Sequence, residues 1–181
     1  MFKKIGQDYS KYKKYGGNFI SIVFFTQGFW AIFQYRIAHI CYMLKIPIVK
    51  HILLIICLIW QKLIEILTGI SLPYSAKIGS HFYIGHFGGI IINAKAVIGD
   101  NCNISQGVTV GVSGRGDNRG VPTIGNNVYI GANAVVAGKI NVGDNCVVAG
   151  NSLLVSSIED NVTVAGVPAV VINNKASKDY I

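Results

Sequence analysis

Charge is scarce in this 181-residue chain, at 13%, and acidic residues are scarcer still, eight in all. With 51% hydrophobic residues, such a composition excludes a disordered chain, because enough apolar surface is present to offset the entropy of ordering. The four cysteines, at 41, 57, 102 and 146, form no C-x-x-C pair and no Cys/His cluster at zinc spacing. A disulfide framework and a metal module are therefore not expected, and the thiols read as small apolar residues in a reducing compartment. The 21 glycines show no G-X-Y period, which excludes collagen. No helix-turn-helix, zinc-finger or RNP pattern is present, so nucleic acid is not an expected partner. No small-x-small cleavage site follows the first apolar stretch, so no signal peptide is expected. The length suits one domain, or a compact domain with an appendage, and buries a core without covalent staples.

What charge there is sits unevenly. Residues 1–69 hold nine Lys/Arg against Asp8 and Glu65, whereas residues 70–181 hold seven against six acids. The basic surplus of the N-terminal third suits an anionic membrane surface. Within that third the periodicity is helical. Phe19–Leu44 reads as one apolar, aromatic helix with Gln27, Gln34, Arg36 and His39 at helical intervals. Pro47 breaks it, Ile48–Leu67 forms a second, and Gly69 and Pro73 end that one. Neither reads as a membrane span. Ile52–Trp60 is bracketed by His51 and Gln61 and is too short, and the uncharged run Tyr15–Tyr35 is diluted by Gly16, Gly17, Asn18, Thr26, Gln27 and Gly28. The pair is expected to pack on the next domain or another subunit, with peripheral contact at the inner face of the cytoplasmic membrane as the sharper alternative.

From residue 78 the period becomes six. Aliphatic residues recur at Ile78, Ile84 and Ile90, then at Ile92, Ile98, Ile104 and Val110, then at Ile124, Ile130, Val136, Val142, Val148 and Leu154. A small residue follows four positions later, as at Cys102, Val108, Ala134, Cys146 and Ser152. Such hexads are the signature of a parallel β-helix. The aliphatic side chain points into a narrow prism, the small one fits its corner, and Gly and Asn make the turns. The expected architecture is mainly β: an α-helical region over 1–69, a β-helix over 70–172 with an external loop at 112–121, and a tail over 173–181.

These hexads, closed by Gly-Val-Pro-Ala (166–169), resemble the left-handed parallel β-helix acyltransferases. The stretches Ala76-Lys77-Ile78-Gly79, Gln106-Gly107-Val108-Thr109-Val110-Gly111 and Pro122-Thr123-Ile124-Gly125 are similar to the serine O-acetyltransferase group. Gly85-His86-Phe87-Gly88-Gly89 and Arg119-Gly120-Val121-Pro122 further resemble its capsule and surface-polysaccharide branch. The resemblance implies a homotrimer, with a hexamer left open, binding acetyl-CoA in grooves between prisms. His86 is then the general base, a role for which imidazole is the usual side chain. The main-chain N–H of Val112 is the oxyanion donor. Gly111, Val112, Ser113, Gly131, Ala132, Gly150, Val167 and Pro168 line the cofactor groove. His81, Arg115, Asp117 and Arg119 are candidates for the acceptor.

Three family features are missing. The Asp that orients the base is replaced by Ser71, the Asp preceding the base by Gly85, and the Arg-His pair before the loop proline by Gly120-Val121. All three serve a zwitterionic amino acid. The sequence therefore favours a sugar hydroxyl of a cell-surface polysaccharide as acceptor and a cytoplasmic enzyme. L-Serine acetylation in cysteine synthesis is the alternative, and a non-catalytic trimeric scaffold is a third reading.

Overall fold

The computed structural model describes residues 2–181. Four helices come first: α1 (Phe2–Lys14), α2 (Phe19–Phe25), α3 (Gln27–Tyr42) and α4 (Pro47–Thr68). The single helix expected over Phe19–Leu44 is corrected to two. Thr26 interrupts it at φ −109°, ψ 99°, and its hydroxyl donates back to the Ser21 carbonyl at 2.9 Å. Asn18 and Ser21 form a reciprocal capping box at the start of α2, each satisfying an orphan N–H of the other. Pro47 opens α4, where its missing N–H costs nothing, and Gly69 ends it in the left-handed region at φ 65°.

Short strands follow in chain order: β1 (Ile70–Ser71), β2 (Lys77–Ile78), β3 (Tyr83–Ile84), β4 (Ile90–Ile92), β5 (Val97–Ile98), β6 (Asn103–Ile104) and β7 (Thr109–Gly111). Then come β8 (Thr123–Ile124), β9 (Tyr129–Ile130), β10 (Val135–Ala137), β11 (Asn141–Val142), β12 (Val147–Val148), β13 (Leu153–Leu154), β14 (Thr163–Gly166) and β15 (Ala169–Asn173). They form three parallel sheets, ordered β1-β4-β7-β10-β13, β2-β5-β8-β11 and β3-β6-β9-β12-β14, with β15 antiparallel on β14. This is a three-faced left-handed β-helix. The hexad aliphatics stack in register, Ile78 on Ile98 on Ile124 on Val142 and Ile84 on Ile104 on Ile130 on Val148. All of them are buried.

The corners are held by side-chain columns. Asn101, Asn127, Asn145 and Asn161 lie in the left-handed region at φ 54–62°, which asparagine tolerates better than other residues with a Cβ. Each carboxamide donates to the next, at 2.8, 2.9 and 3.0 Å. His81, at φ 53°, takes the corresponding corner of the first coil. A parallel column caps backbone N–H groups. Asp100 accepts from Ser80, Asn126 from Asp100, Asp144 from Asn126, and Asp160 from Asp144. Cys102 and Cys146 fill the small hexad position as free, buried thiols, and burial pushes the Cys102 thiol up to about 11.

The first coil would leave its outer backbone edge unpaired, and buried unpaired backbone groups are costly. The helices close that edge with side chains. Tyr12 Oη donates to the Ile84 carbonyl and accepts from its N–H, at 2.9 and 3.2 Å. Tyr35 Oη donates to the Ala76 carbonyl and accepts from Ile78 N–H, at 2.8 and 3.1 Å. Arg36 donates to the carbonyls of Ile78 and Gly79, and its guanidinium pairs with Asp8 at 2.7 Å. Asp8 also accepts from Phe82 N–H at 2.9 Å. Burial pushes the Asp8 carboxyl up, against the pull of Arg36 and Phe82. Lys11 tops the asparagine column, its Nζ 2.7 Å from Asn101 Oδ1.

Arg36→Met is expected to destabilise the fold by about 3–5 kcal/mol, because it leaves Asp8 buried without its counter-charge; denaturant unfolding measures the loss. Burial pulls the Lys11 amine down to about 8, with repulsion from Lys14 adding to it. Between that value and the ordinary lysine range the unfolded chain holds the extra proton, so this group makes stability rise as pH rises. Compared with Lys11→Met, the wild-type chain should gain stability from pH 8 to pH 10, read as the difference between paired unfolding curves.

Candidate active site

A three-faced prism has three edges, and the turns between sheets decide which residues share one. The turns from the third sheet to the first carry His86 after β3, Gln106-Gly107 after β6, Gly131-Ala132-Asn133 after β9 and Gly150-Asn151 after β12. His86 therefore heads a column of small residues running down one edge. Smallness there is a steric requirement: a Cβ on Gly131 would lie 2.6 Å from the Gly150 backbone nitrogen. Beside the column runs an open groove of about 600 Å³, lined by Gly131, Ala132, Gly150, Tyr129, Thr163 and Lys175. The tail borders it, with the Tyr180 ring 4.9 Å from that of Tyr129 and Ser177 donating to the Asn145 carbonyl at 3.0 Å.

His86 is exposed, and no hydrogen bond to its ring is formed among the described residues. Its loop is fixed by backbone. Gly88 and Gly89 both take positive φ, Gly88 N–H donates to the Thr68 carbonyl at 2.8 Å, and Ile90 N–H donates to that of Gly69 at 3.0 Å. The end of α4 and the turn that carries His86 are thus stitched together. At that junction lies a residue that reading the sequence missed. Glu65, one turn before the end of α4, accepts from Ser71 Oγ at 2.8 Å, from Gln61 Nε2 at 2.8 Å and from Lys62 Nζ at 2.6 Å. Burial pushes its carboxyl up, but the donated bonds from Lys62, Gln61 and Ser71 outweigh this and hold it below the ordinary glutamate range. A carboxylate therefore sits against Ser71, the position where the resemblance expected an aspartate. No linear motif shows it, because Glu65 belongs to the helix and Ser71 to the first strand.

The remaining candidates lie elsewhere. Gly111, Val112 and Ser113 follow β7, on the edge between the first and second sheets. Val112 N–H has no backbone carbonyl partner among the described residues. The external loop over 112–121 is bonded internally. Ser113 and Gly120 exchange backbone hydrogen bonds at 3.1 and 3.0 Å, and Gly116–Asn118 forms a short 3-10 turn. Lys139 Nζ also donates to the Asp117 carbonyl at 3.3 Å. Arg115, Asp117 and Arg119 are exposed on this pinned loop. His81 occupies its column corner next to α1, lining a hollow with Ser10, Lys11, Lys14 and Asn101. Val167 and Pro168 form the tip of the β14–β15 turn. The structure thus brings His86, Gly131, Ala132 and Gly150 to one edge, and places Gly111–Ser113 with the loop arginines on another.

Residues 122–155 match the family model of the bacterial transferase hexapeptide (six repeats). The chain is 33% identical over 155 residues to a serine acetyltransferase of Synechococcus elongatus, covering 86% of this chain and 61% of that one. It is 31% identical to a serine acetyltransferase of Bacillus pumilus, covering 89% and 71%. The crystal structure of serine acetyltransferase from Brucella abortus strain S19 superposes with a TM-score of 0.84 at 30% identity, over 96% of this chain and 69% of that one. Its complex with Coenzyme A superposes at 0.80, with 31% identity over 96% and 66%. The chain thus spans about three fifths of the first of these relatives. These names correct the acceptor and the branch expected from sequence. Relatives named for serine overturn the polysaccharide reading. A carboxylate, that of Glu65, also sits against Ser71, the position that the sequence reading took as lacking one.

Proposed function

Because the chain belongs to the serine acetyltransferase family of hexapeptide-repeat transferases, we propose that it transfers an acetyl group from acetyl-CoA to the hydroxyl of L-serine. The observation that carries this reading is His86, exposed at the head of an edge whose small residues border an open groove. That groove suits the thin pantetheine arm of the co-substrate, with Gly131, Ala132 and Gly150 holding it and Val167 and Pro168 beyond. Acetyl-CoA supplies the activated thioester. His86 takes the proton from the hydroxyl as it becomes a nucleophile. The main-chain N–H of Val112 holds the developing oxyanion. Since His86 and Val112 stand on different edges of one prism, both meet one substrate only where two prisms lie side by side. This supports a homotrimer, each site built from two chains. Arg115 and Arg119, on the pinned loop beside Val112, are the cations available to the serine carboxylate.

Glu65 acts as a positioning residue. Its carboxylate accepts from Ser71 of the first strand and so ties the end of α4 to the coil whose turn carries His86.

Three measurements test the scheme. With purified protein, CoA release from acetyl-CoA should require L-serine and fall by about 10²–10⁴-fold in His86→Ala. Absence of turnover with L-serine would overturn the acceptor. Glu65→Gln should lower kcat by about ten-fold with KM for acetyl-CoA unchanged, and Glu65→Asp should recover part of it. A purely structural Glu65 would instead lower the unfolding midpoint and leave kcat of the folded protein intact. Ala132→Trp, which fills the groove without disturbing the prism interior, should raise KM for acetyl-CoA about ten-fold or more while sparing the fold by circular dichroism.

A further inference from the structure

We propose that the outer face of α4, together with the exposed phenylalanines of α2, seats the protein flat on an anionic lipid bilayer. The proposal stands independently of the acceptor. At 22 residues, α4 is about 33 Å long and apolar on both sides. Its inner side, Leu54, Cys57, Gln61, Ile64 and Thr68, is buried. Its outer side presents Ile48, Ile52, Ile55, Ile59, Leu63 and Ile66 at three- and four-residue spacing, each 54–80% exposed. A helix apolar all round is ordinarily covered all round, and a stripe of this length exceeds what a soluble monomer leaves open. Phe24 and Phe25 of α2 add two exposed rings. Among the same helices opens an apolar groove of about 590 Å³, lined by Tyr9, Phe19, Val23, Phe33, Trp60 and Ile64.

Charge identifies the occupant. Of the two acids in residues 1–69, Asp8 is buried against Arg36 and Glu65 is held by Lys62, Gln61 and Ser71. Lys3, Lys13, Lys14 and Lys45 stay exposed around the helices. The helical region carries nine basic side chains against these two internally held acids, a surplus that anionic headgroups neutralise while the isoleucines enter the acyl boundary. The helix lies in the surface rather than crossing it, because its inner side is tied to the protein, as where Gln34 Nε2 donates to the Cys57 carbonyl at 3.1 Å.

The test is flotation of the full chain with vesicles of phosphatidylcholine alone or with about one third phosphatidylglycerol. The protein should float with the anionic vesicles, about five-fold less at high salt. The double variant Ile55→Glu/Ile59→Glu should stay in solution with its unfolding midpoint unchanged. If the wild-type chain stays down with both compositions, the proposal fails. It fails equally if the double variant floats as well as the wild type. Should the double variant instead change the molar mass by light scattering while the wild type does not float, the face is a contact between copies and the lipid proposal is overturned.

Discussion

A parallel β-helix can pair every coil with its neighbours except the first and last, and the first coil here leads into the turn of His86. Its outer backbone edge is closed by five helix-borne side chains, Lys4, Asp8, Tyr12, Tyr35 and Arg36, each bonded to backbone of residues 76–84. Side chains rather than a further strand do this, so the cap is made of directional, buried polar bonds. Such networks are valuable only when every member is satisfied. Both tyrosines both donate and accept, and Arg36 spends its donors on Asp8 and on two carbonyls. The cap therefore sets the orientation of the helical region on the prism as well as the stability of the first coil.

That orientation determines what the end of α4 meets. Thr68 and Gly69 accept backbone bonds from the turn that carries His86, so the last helical turn and that turn belong to one corner. Glu65 brings a carboxylate from the helix to the side of Ser71, which donates a bond to it. The two residues are six positions apart in sequence and adjacent in space.

How legible all this was depended on the range of the interaction. The hexads, their inward aliphatics and the small corner residues were readable because the repeat is local and periodic, and Ile78, Ile98 and Ile124 stack as that period requires. Pro47 and Gly69 marked the ends of α4 for the same local reason. The break at Thr26 was not readable, since threonine within an apolar run carries no strong stop signal. The capping role of Asp8 and Tyr12 was hidden because their partners lie some seventy residues away. The backbone pairing between Ser113 and Gly120 was hidden because a run of glycines and charges carries no strand pattern. The carboxylate beside Ser71 was missed because side chains were compared position by position, and Glu65 reaches that place from a different element.

The separation of His86 from Val112 follows from the prism itself. Residues that enter the first sheet and residues that leave it lie on opposite sides of that face, whatever their side chains. Lengthening the loop over 112–121 would not join them within one chain without crossing the sheet. Prisms packed with their axes parallel place an entering edge of one beside a leaving edge of the next, and a ring of three closes with every edge used alike. On that arrangement the bonds between Ser113 and Gly120 acquire a purpose, because a donor presented to a neighbouring chain must be held by its own chain before the two meet. The basic, apolar helices stand at the first-coil end of every prism, so all copies in such a ring present them on the same side.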